Sequence, residues 1–366
     1  MAIAASGAVS FSDLRTEFVG GSAAISYSDL YRGGSNIRSK AGNNTGVNLA
    51  ASVPTSGTIN IANFRSQAKG FRFTYTSGAT NQNASALFGD DYAVDYPKEI
   101  VINSGVELGA TSTSEEALQI DTGASGTITV TNNGTLSGAG GAAGSAGGDA
   151  FEADIACTLI NNGLIRAGGG GGGTGGVGGN GSYTSTTTLG PYNSFSSHVH
   201  GAIWQTYPYA NGTTVYIRFA YSLVFSGTLS SGQTSYTSGS HTYNRGYFNG
   251  LGGTNNDVAH WNISRTTSST SNSSGGSGGA GGVGAGYNQS AASGSSGVAG
   301  GTNAGTGGTG GTGGGFGSAG STGNTGANGN VTNGAAGSSG GAAGNYIRGL
   351  SFVTLTQSGT VQGGTA

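Results

Sequence analysis

From residue 308 to 329 the chain reads GTGGTGGGFGSAGSTGNTGANG, with glycine at every third position: Gly308, Gly311, Gly314, Gly317, Gly320, Gly323, Gly326 and Gly329. Random glycine/serine linkers have no reason to hold phase over eight triplets. The same spacing recurs at Gly138, Gly141, Gly144 and Gly147, at Gly172, Gly175, Gly178 and Gly181, at Gly275, Gly278, Gly281 and Gly284, and at Gly334, Gly337 and Gly340. Period three is that of an extended left-handed helix with three residues per turn. One bare face lets neighbouring backbones approach. Such a helix has no internal hydrogen bonds, so buried N–H and C=O groups must pair with neighbours. Collagen shares the period but needs about 15–20% proline, and the periodic runs contain none. The expectation is a bundle of short polyglycine II helices running back and forth. Unbroken, the run from Gly308 to Gly329 would reach ~65 Å.

The composition around these runs narrows the class. Of 366 residues 78 are glycine, only 8% are charged, the net charge is −2, and there is a single cysteine, Cys157. That excludes a disulfide scaffold or a multi-cysteine metal site. A near-neutral chain without basic runs does not fit a nucleic-acid binder. No apolar stretch is long enough for a membrane span, and MAIAASGAVS has neither the basic start nor the apolar core of a signal peptide.

Two other repeats flank the glycine. The first comprises SGAVSFSDLR from Ser6, SAAISYSDLYR from Ser22 and SGTINIANFR from Ser56. The alternation of Val9 with Phe11, Ile25 with Tyr27 and Ile59 with Ile61 predicts short strands, with Asp13, Asp29 and Asn63 as turn or N-cap residues. Residues 1–72 hold seven of the thirteen basic residues and three acids, so this module is mildly positive. The second repeat is IVINSGVELGA from Ile100, ITVTNNGTLSGAG from Ile128, TLINNGLIRAGG from Thr158 and VTLTQSGTVQGGT from Val353. Each reads as strand, glycine turn, strand, a unit able to stack as a β-solenoid or form a small sheet.

Residues 183–261 break the glycine pattern with nine of the sixteen tyrosines, both tryptophans and all four histidines. Stretches such as TVYIRFAYSLVFSGTL read as aromatic-rich strands. Tyrosine and tryptophan combine rigid contact area with a hydrogen bond, which suits carbohydrate or protein recognition. A small β core would use the same residues. The candidates for surface contact, chosen for nearby Gly and Pro turn residues, are Tyr192, Trp204, Tyr207, Tyr209, Tyr243, Tyr247 and Trp261. On a strand, His198 and His200 point to one face and could share a metal ion, joined by His241, by His260 or by symmetry copies. Two ordinary polar histidines are the competing reading, and no other cofactor is expected. Asp90, Asp91, Asp95, Glu99 and Glu107 crowd one stretch and read as a solvated acidic face rather than a Ca²⁺ loop. No nucleophile elbow, HExxH or P-loop is present, so the chain is not expected to be an enzyme.

The opening repeats resemble those at the start of tailed-phage fibre and virion proteins. The glycine blocks at 134–181 and 275–345 resemble the distal tail-fibre adhesins of T-even-type phages. That resemblance implies a polyglycine II sandwich presenting loops to an outer-membrane receptor, and an N-terminal domain docked on a trimeric fibre. The fold expected is mostly β with a polyglycine II bundle, divided into an attachment domain (1–72), a β domain (73–133), a glycine-rich domain (134–182 and 275–366) and an aromatic β insert (183–274). The implied partners are other phage tail or fibre proteins and a host-cell surface receptor, glycan or outer-membrane protein, with location in the virion tail. The chain would be a homotrimer or a monomeric cap. Rival readings are a structural virion component without host contact, a polysaccharide depolymerase, and a cellular glycine-rich surface or ice-binding protein.

Overall fold

The computed structural model describes residues 3–20, 24–192, 203–207, 214–219, 222–229, 233–252 and 258–366. The chain forms two compact units, one of Met1–Gly179, Gly275–Gly300 and Gly305–Ala366, the other of Asn180–Ser274 with Gly301–Ala304.

The N-terminal repeats are helical turns, not the strands expected. Phe11–Leu14, Tyr27–Leu30 and Ile61–Phe64 each make one turn. The N-caps are Ser10, Ser26 and Asn60, while Asp13, Asp29 and Asn63 occupy the third position and close capping boxes. These reciprocal bonds satisfy donors that a helix start leaves open, and they outweigh the two-residue apolar alternation. The residue after each box, Leu14, Leu30 or Phe64, is fully buried in one shared core with Phe18, Ile37 and Val53.

Behind β1 (Val47–Asn48), the second repeat builds a stack of three-sided coils. The first coil is β2 (Phe71–Tyr75), β3 (Ala79–Thr80) and β4 (Gln82–Asn83). The second is β5 (Lys98–Ile102), β6 (Glu107–Gly109) and β7 (Leu118–Ile120). The third is β8 (Ile128–Asn132), β9 (Thr135–Ser137) and β10 (Phe151–Ala153). The fourth opens with β11 (Cys157–Asn161) and β12 (Leu164–Arg166). The chain then leaves for the insert, whose strands are β13 (Gly181–Tyr192), β14 (Ile203–Tyr207), β15 (Thr214–Phe219), β16 (Ser222–Thr228), β17 (Ser235–Ser238), β18 (His241–Gly252) and β19 (Val258–Ser273). It completes the fourth coil at β20 (Asn345–Arg348) and adds a fifth from β21 (Val353–Gln357), β22 (Thr360–Gln362) and β23 (Gly364–Thr365).

Each arm of a repeat joins a different sheet and pairs in parallel with the same arm of the next coil, in the orders β2-β5-β8-β11-β21, β3-β6-β9-β12-β22 and β4-β7-β10-β20-β23. Inward positions therefore stack in ladders: Ile100, Val130, Leu159 and Leu355 on one side, Leu108, Leu136, Ile165 and Val361 on the next. The Asn-Gly turns become corners. Asn132 Nδ2 donates to Asn161 Oδ1 at 2.8 Å, while its own Oδ1 accepts from the Gly134 N–H at 3.1 Å. Both asparagines are fully buried. Cys157 is a buried thiol, pushed up to about 11 by that burial.

All the glycine-rich chain between β12 and β20, the insert included, is one insertion at a corner of the fourth coil. A shorter glycine hairpin occupies the same corner of the third, between β9 and β10. These glycine segments have no internal helical or strand bonds and pair sideways with period three. Along residues 168–179 the amides of Gly169, Gly172, Gly175 and Gly178 donate to Ala285, Gly282, Gly279 and Gly276, while those of Gly170, Gly173, Gly176 and Gly179 donate to Ser318, Ser321, Asn324 and Ala327. The same stretch accepts from Gly305, Gly308, Gly311 and Gly314, from Ala335, Ser338, Gly341 and Gly344, and from Gly141 and Gly144; Gly171 donates to Ser145. It thus has lateral bonds to six other stretches. The long run that opened the sequence reading does not extend unbroken: it reverses at Phe316 and Gly317, the latter at φ 63°, and the two halves pair antiparallel.

Glycine density follows this packing. The six consecutive glycines Gly168–Gly173 lie at the centre, where Cβ atoms would fall 1.7 to 2.2 Å from neighbouring carbonyl oxygens. The flanking stretch 275–284 reads GGSGGAGGVG, two glycines per triplet, and Val283 is exposed. The stretch 317–328 reads GSAGSTGNTGAN, one per triplet. The bundle rests on the coils through side chains: the Tyr287 ring occupies the space a Cβ on Gly109 would need, and the Arg166 guanidinium lies 3.7 Å from the Phe316 ring centroid.

The acidic stretch is solvated only in part: Asp90 and Asp95 are exposed, while the other three carboxylates are held by protein partners. Asp91 is fully buried and accepts from Arg38 Nε at 2.7 Å, Ala41 N at 2.7 Å and Asn44 Nδ2 at 3.0 Å. Glu99 pairs with Arg72 and Glu107 with Arg166. No helix among the described residues is long and apolar enough to cross a membrane.

Candidate functional site

The insert is an antiparallel sheet of order β16-β15-β14-β19-β18-β17, with β13 pairing β19 beyond the end of β14. It rolls up. Phe225 on one edge strand and Tyr236 on the other have ring centroids 4.5 Å apart. Inside lie Trp204, Val215, Ile217, Phe219, Tyr243 and Ile263. Alternation follows the two-residue period of a strand: Val215, Ile217 and Phe219 point in, Tyr216 and Arg218 point out.

This sorts the sequence candidates. Trp204 is 0% and Tyr243 5% exposed, so both are core side chains and neither is available for surface contact. Trp204 lies opposite Trp261 on the neighbouring strand, and Tyr243 reaches across the interior to pack edge-on against Phe219, ring centroids 5.8 Å apart. Tyr192 is half-buried against the same core. Tyr207 closes β14. Tyr209, His198 and His200 lie outside the described residues. Among the described residues no cluster of three or more His, Cys, Asp or Glu could hold a metal. His241 faces Thr267 Oγ1 at 2.9 Å and His260 faces Gln205 at 3.3 Å, seven positions apart along β19, about 23 Å. These two histidines cannot share one ion.

Trp261 on β19, half-buried against the core of the insert, meets residues of β18 that the sequence reading passed over. Tyr247 is 72% exposed, followed by exposed Phe248 and Leu251. The Phe248 ring meets Trp261 edge-on at 5.4 Å, and the Arg245 guanidinium stands 4.3 Å from the Trp261 ring centroid. Trp261 Nε1 donates to Thr206 Oγ1 at 3.2 Å, fixing the indole. Burial holds the Arg245 guanidinium and the His260 imidazole below their ordinary pKa values. An arginine on an indole face with an exposed phenylalanine against it, and an exposed tyrosine next along the strand, is a platform for binding, with apolar area and a cation in one place. The run RGYF (245–248) was the available signal: an arginine and two aromatics around one glycine.

The family model of the phage tail fibre adhesin Gp38 matches residues 70–261. That is more than half of the chain, and the protein belongs to this family of bacteriophage tail fibre adhesins. The match runs from β2 through the glycine hairpin to Trp261, overlapping the sequence-based resemblance mainly at 134–181. Among solved structures, the chain is similar to one from the gp37-gp38 adhesin tip complex of the bacteriophage S16 long tail fiber, at 16% identity and TM-score 0.35, covering 85% of this chain and 88% of that one. No curated protein matches.

Proposed function

We propose that the protein is a tail-fibre tip adhesin of the virion that binds a host-cell surface receptor through its aromatic insert. The observation that carries this reading is the exposed Phe248 ring against the Arg245–Trp261 stack, with Tyr247 exposed next to it along β18, in a member of the tail fibre adhesin family. Residues 1–72, mildly positive and built of three capped turns around one core, attach the chain to another fibre protein as a monomeric cap. Residues 73–133 and the later coils form a β-solenoid. The glycine stretches of 134–182 and 275–366 form a polyglycine II bundle, supported by lateral hydrogen bonds that repeat every third residue. Binding rather than catalysis is the role of the insert at 183–274.

The chain leaves the bundle at Gly179 and rejoins it at Gly275, next to each other in space, since Gly178 N donates to Gly276 O at 2.8 Å. Removing residues 183–261 therefore needs no rearrangement of the bundle. Particles carrying that deletion should assemble with the protein in place and fail to adsorb; normal adsorption would refute the receptor reading. Native mass measurement tests the cap: three chains per particle of purified protein would refute it.

A further inference from the structure

The outer face of the rolled sheet carries a second set of side chains that neither the core nor the Arg245–Trp261 platform uses. One row runs straight across three strands: Tyr216 on β15 pairs with Gln205 on β14, which pairs with His260 on β19. Cross-strand neighbours of this kind sit about 5 Å apart, so the row is as long as one or two pyranose rings. The row continues to Gly250 on β18, which pairs with His260 and adds no side chain. Two positions along the strands on the same face, Arg218 follows Tyr216 and Asn262 follows His260. Gly246 lies against Asn262: a Cβ there would come 3.1 Å from the Asn262 Cβ.

Three features mark this face as a ligand site. Tyr216 is 44% exposed although it sits mid-strand, offering a flat ring to solvent. Asn262 is 8% exposed, and its Oδ1 has no hydrogen-bond partner among the described residues. A buried amide oxygen left without a donor is unfavourable, and a rotation of the Asn262 side chain toward the outer face would bring it to a ligand hydroxyl. Arg218 is exposed and makes no ion pair among the described residues, and residues 180–274 contain three arginines, Arg218, Arg245 and Arg265, against one acid, Asp257. Aromatic ring, amides, imidazole and guanidinium are the groups that recognise a sugar by stacking on its C–H face, bonding its hydroxyls and pairing with its acid group.

We propose that this outer face binds an acidic saccharide, with a pyranose ring on Tyr216, ring hydroxyls on Gln205, His260 and Asn262, and a carboxylate or phosphate on Arg218. The proposal rests on the receptor reading of the insert and gives it a ligand class. The test is a glycan array printed with neutral, uronate-containing, sialylated and phosphorylated oligosaccharides, probed with the full-length protein and with Y216A, R218Q, R218K and N262A. Binding should be confined to acidic glycans. R218Q and Y216A should each weaken it about tenfold or more, R218K should restore part of it, and all three exposed-site variants should melt like wild type. N262A reports on the buried amide and is read only if its melting temperature is unchanged. Binding confined to neutral glycans, no glycan binding at all, or unchanged binding by both R218Q and Y216A overturns the site. The adsorption assay on the 183–261 deletion separates the two readings. Lost adsorption without acidic-glycan binding leaves the receptor reading and removes this site, and acidic-glycan binding with normal adsorption does the reverse.

Discussion

Gly171 and Ala142 are in contact through backbone alone: a Cβ on Gly171 would lie 1.8 Å from the Ala142 carbonyl oxygen. One triplet on, Thr174 is exposed, and Val177 after it is 51% exposed. The difference is the glycine hairpin 138–148, which turns back at Gly144 and so covers Gly168 and Gly171 but not the positions beyond. Side chains return to this face where the neighbour ends.

Gly171→Ala should therefore be far more damaging than its size suggests. Two backbones would have to separate, at a loss of about 3 kcal/mol or more, whereas Thr174→Ala should be nearly neutral. Thermal unfolding of the two variants decides it, and equal melting temperatures would refute the close packing.

The buried asparagine corner offers a second test. Asn132→Leu would leave the Gly134 amide and the Asn161 side chain without partners they now share. Each unsatisfied buried group costs about 1–3 kcal/mol. A large fall in the urea midpoint is expected, against a smaller one for the half-buried neighbour Asn133→Ala, which loses only a bond from the Asn162 side chain.

Three carboxylates meet one arginine at the base of the bundle. Arg348 contacts Glu116 at 2.8 Å, Asp149 at 3.8 Å and Glu152. Burial first, then the facing charge of Glu152, push Glu116 up to about 7 from 4.5, with Arg348 opposing and Asp149 adding to the rise. The folded protein thus keeps a proton that the unfolded chain releases. Stability is fully present below the unfolded value of 4.5 and declines as pH rises through about 7. Melting temperatures across that window should fall in the wild type, and Glu116→Gln should flatten the decline.

In the insert, position decides what an aromatic does. Trp204→Ala removes a fully buried side chain and should cost about 3–5 kcal/mol, unfolding the sheet and abolishing adsorption with it. Tyr247→Ala and Phe248→Ala remove exposed rings. Both should leave the melting temperature unchanged and reduce adsorption about tenfold or more. Normal adsorption by both would move the host contact away from this platform.

Several of these features are legible in the chain itself. Triplet phase, and the rise from one glycine per triplet at 317–328 to three at 168–173, follow from how many sides of each stretch touch another backbone, and that is written in the composition. The strands of the second repeat are legible for the same local reason. Their partners are not. A strand–Asn-Gly–strand unit has one alternation whether its arms pair with each other or, as here, with the arms of the next coil, because that choice rests on contacts between distant residues. Nor could spacing tell that Trp204 is core while Tyr247 is exposed, since both sit among aromatics and turn residues and only the rolling of the sheet gives each strand an inside. Arg348 lies 196 residues from Glu152 and meets it only because the whole glycine bundle and the insert leave and re-enter at one corner of one coil. The sequence by itself determined that glycine would pack backbone against backbone, because no side chain stood in the way. The tertiary structure alone decided what that packing supports and which aromatic and charged side chains face outward, because those depend on pairings that no local pattern encodes.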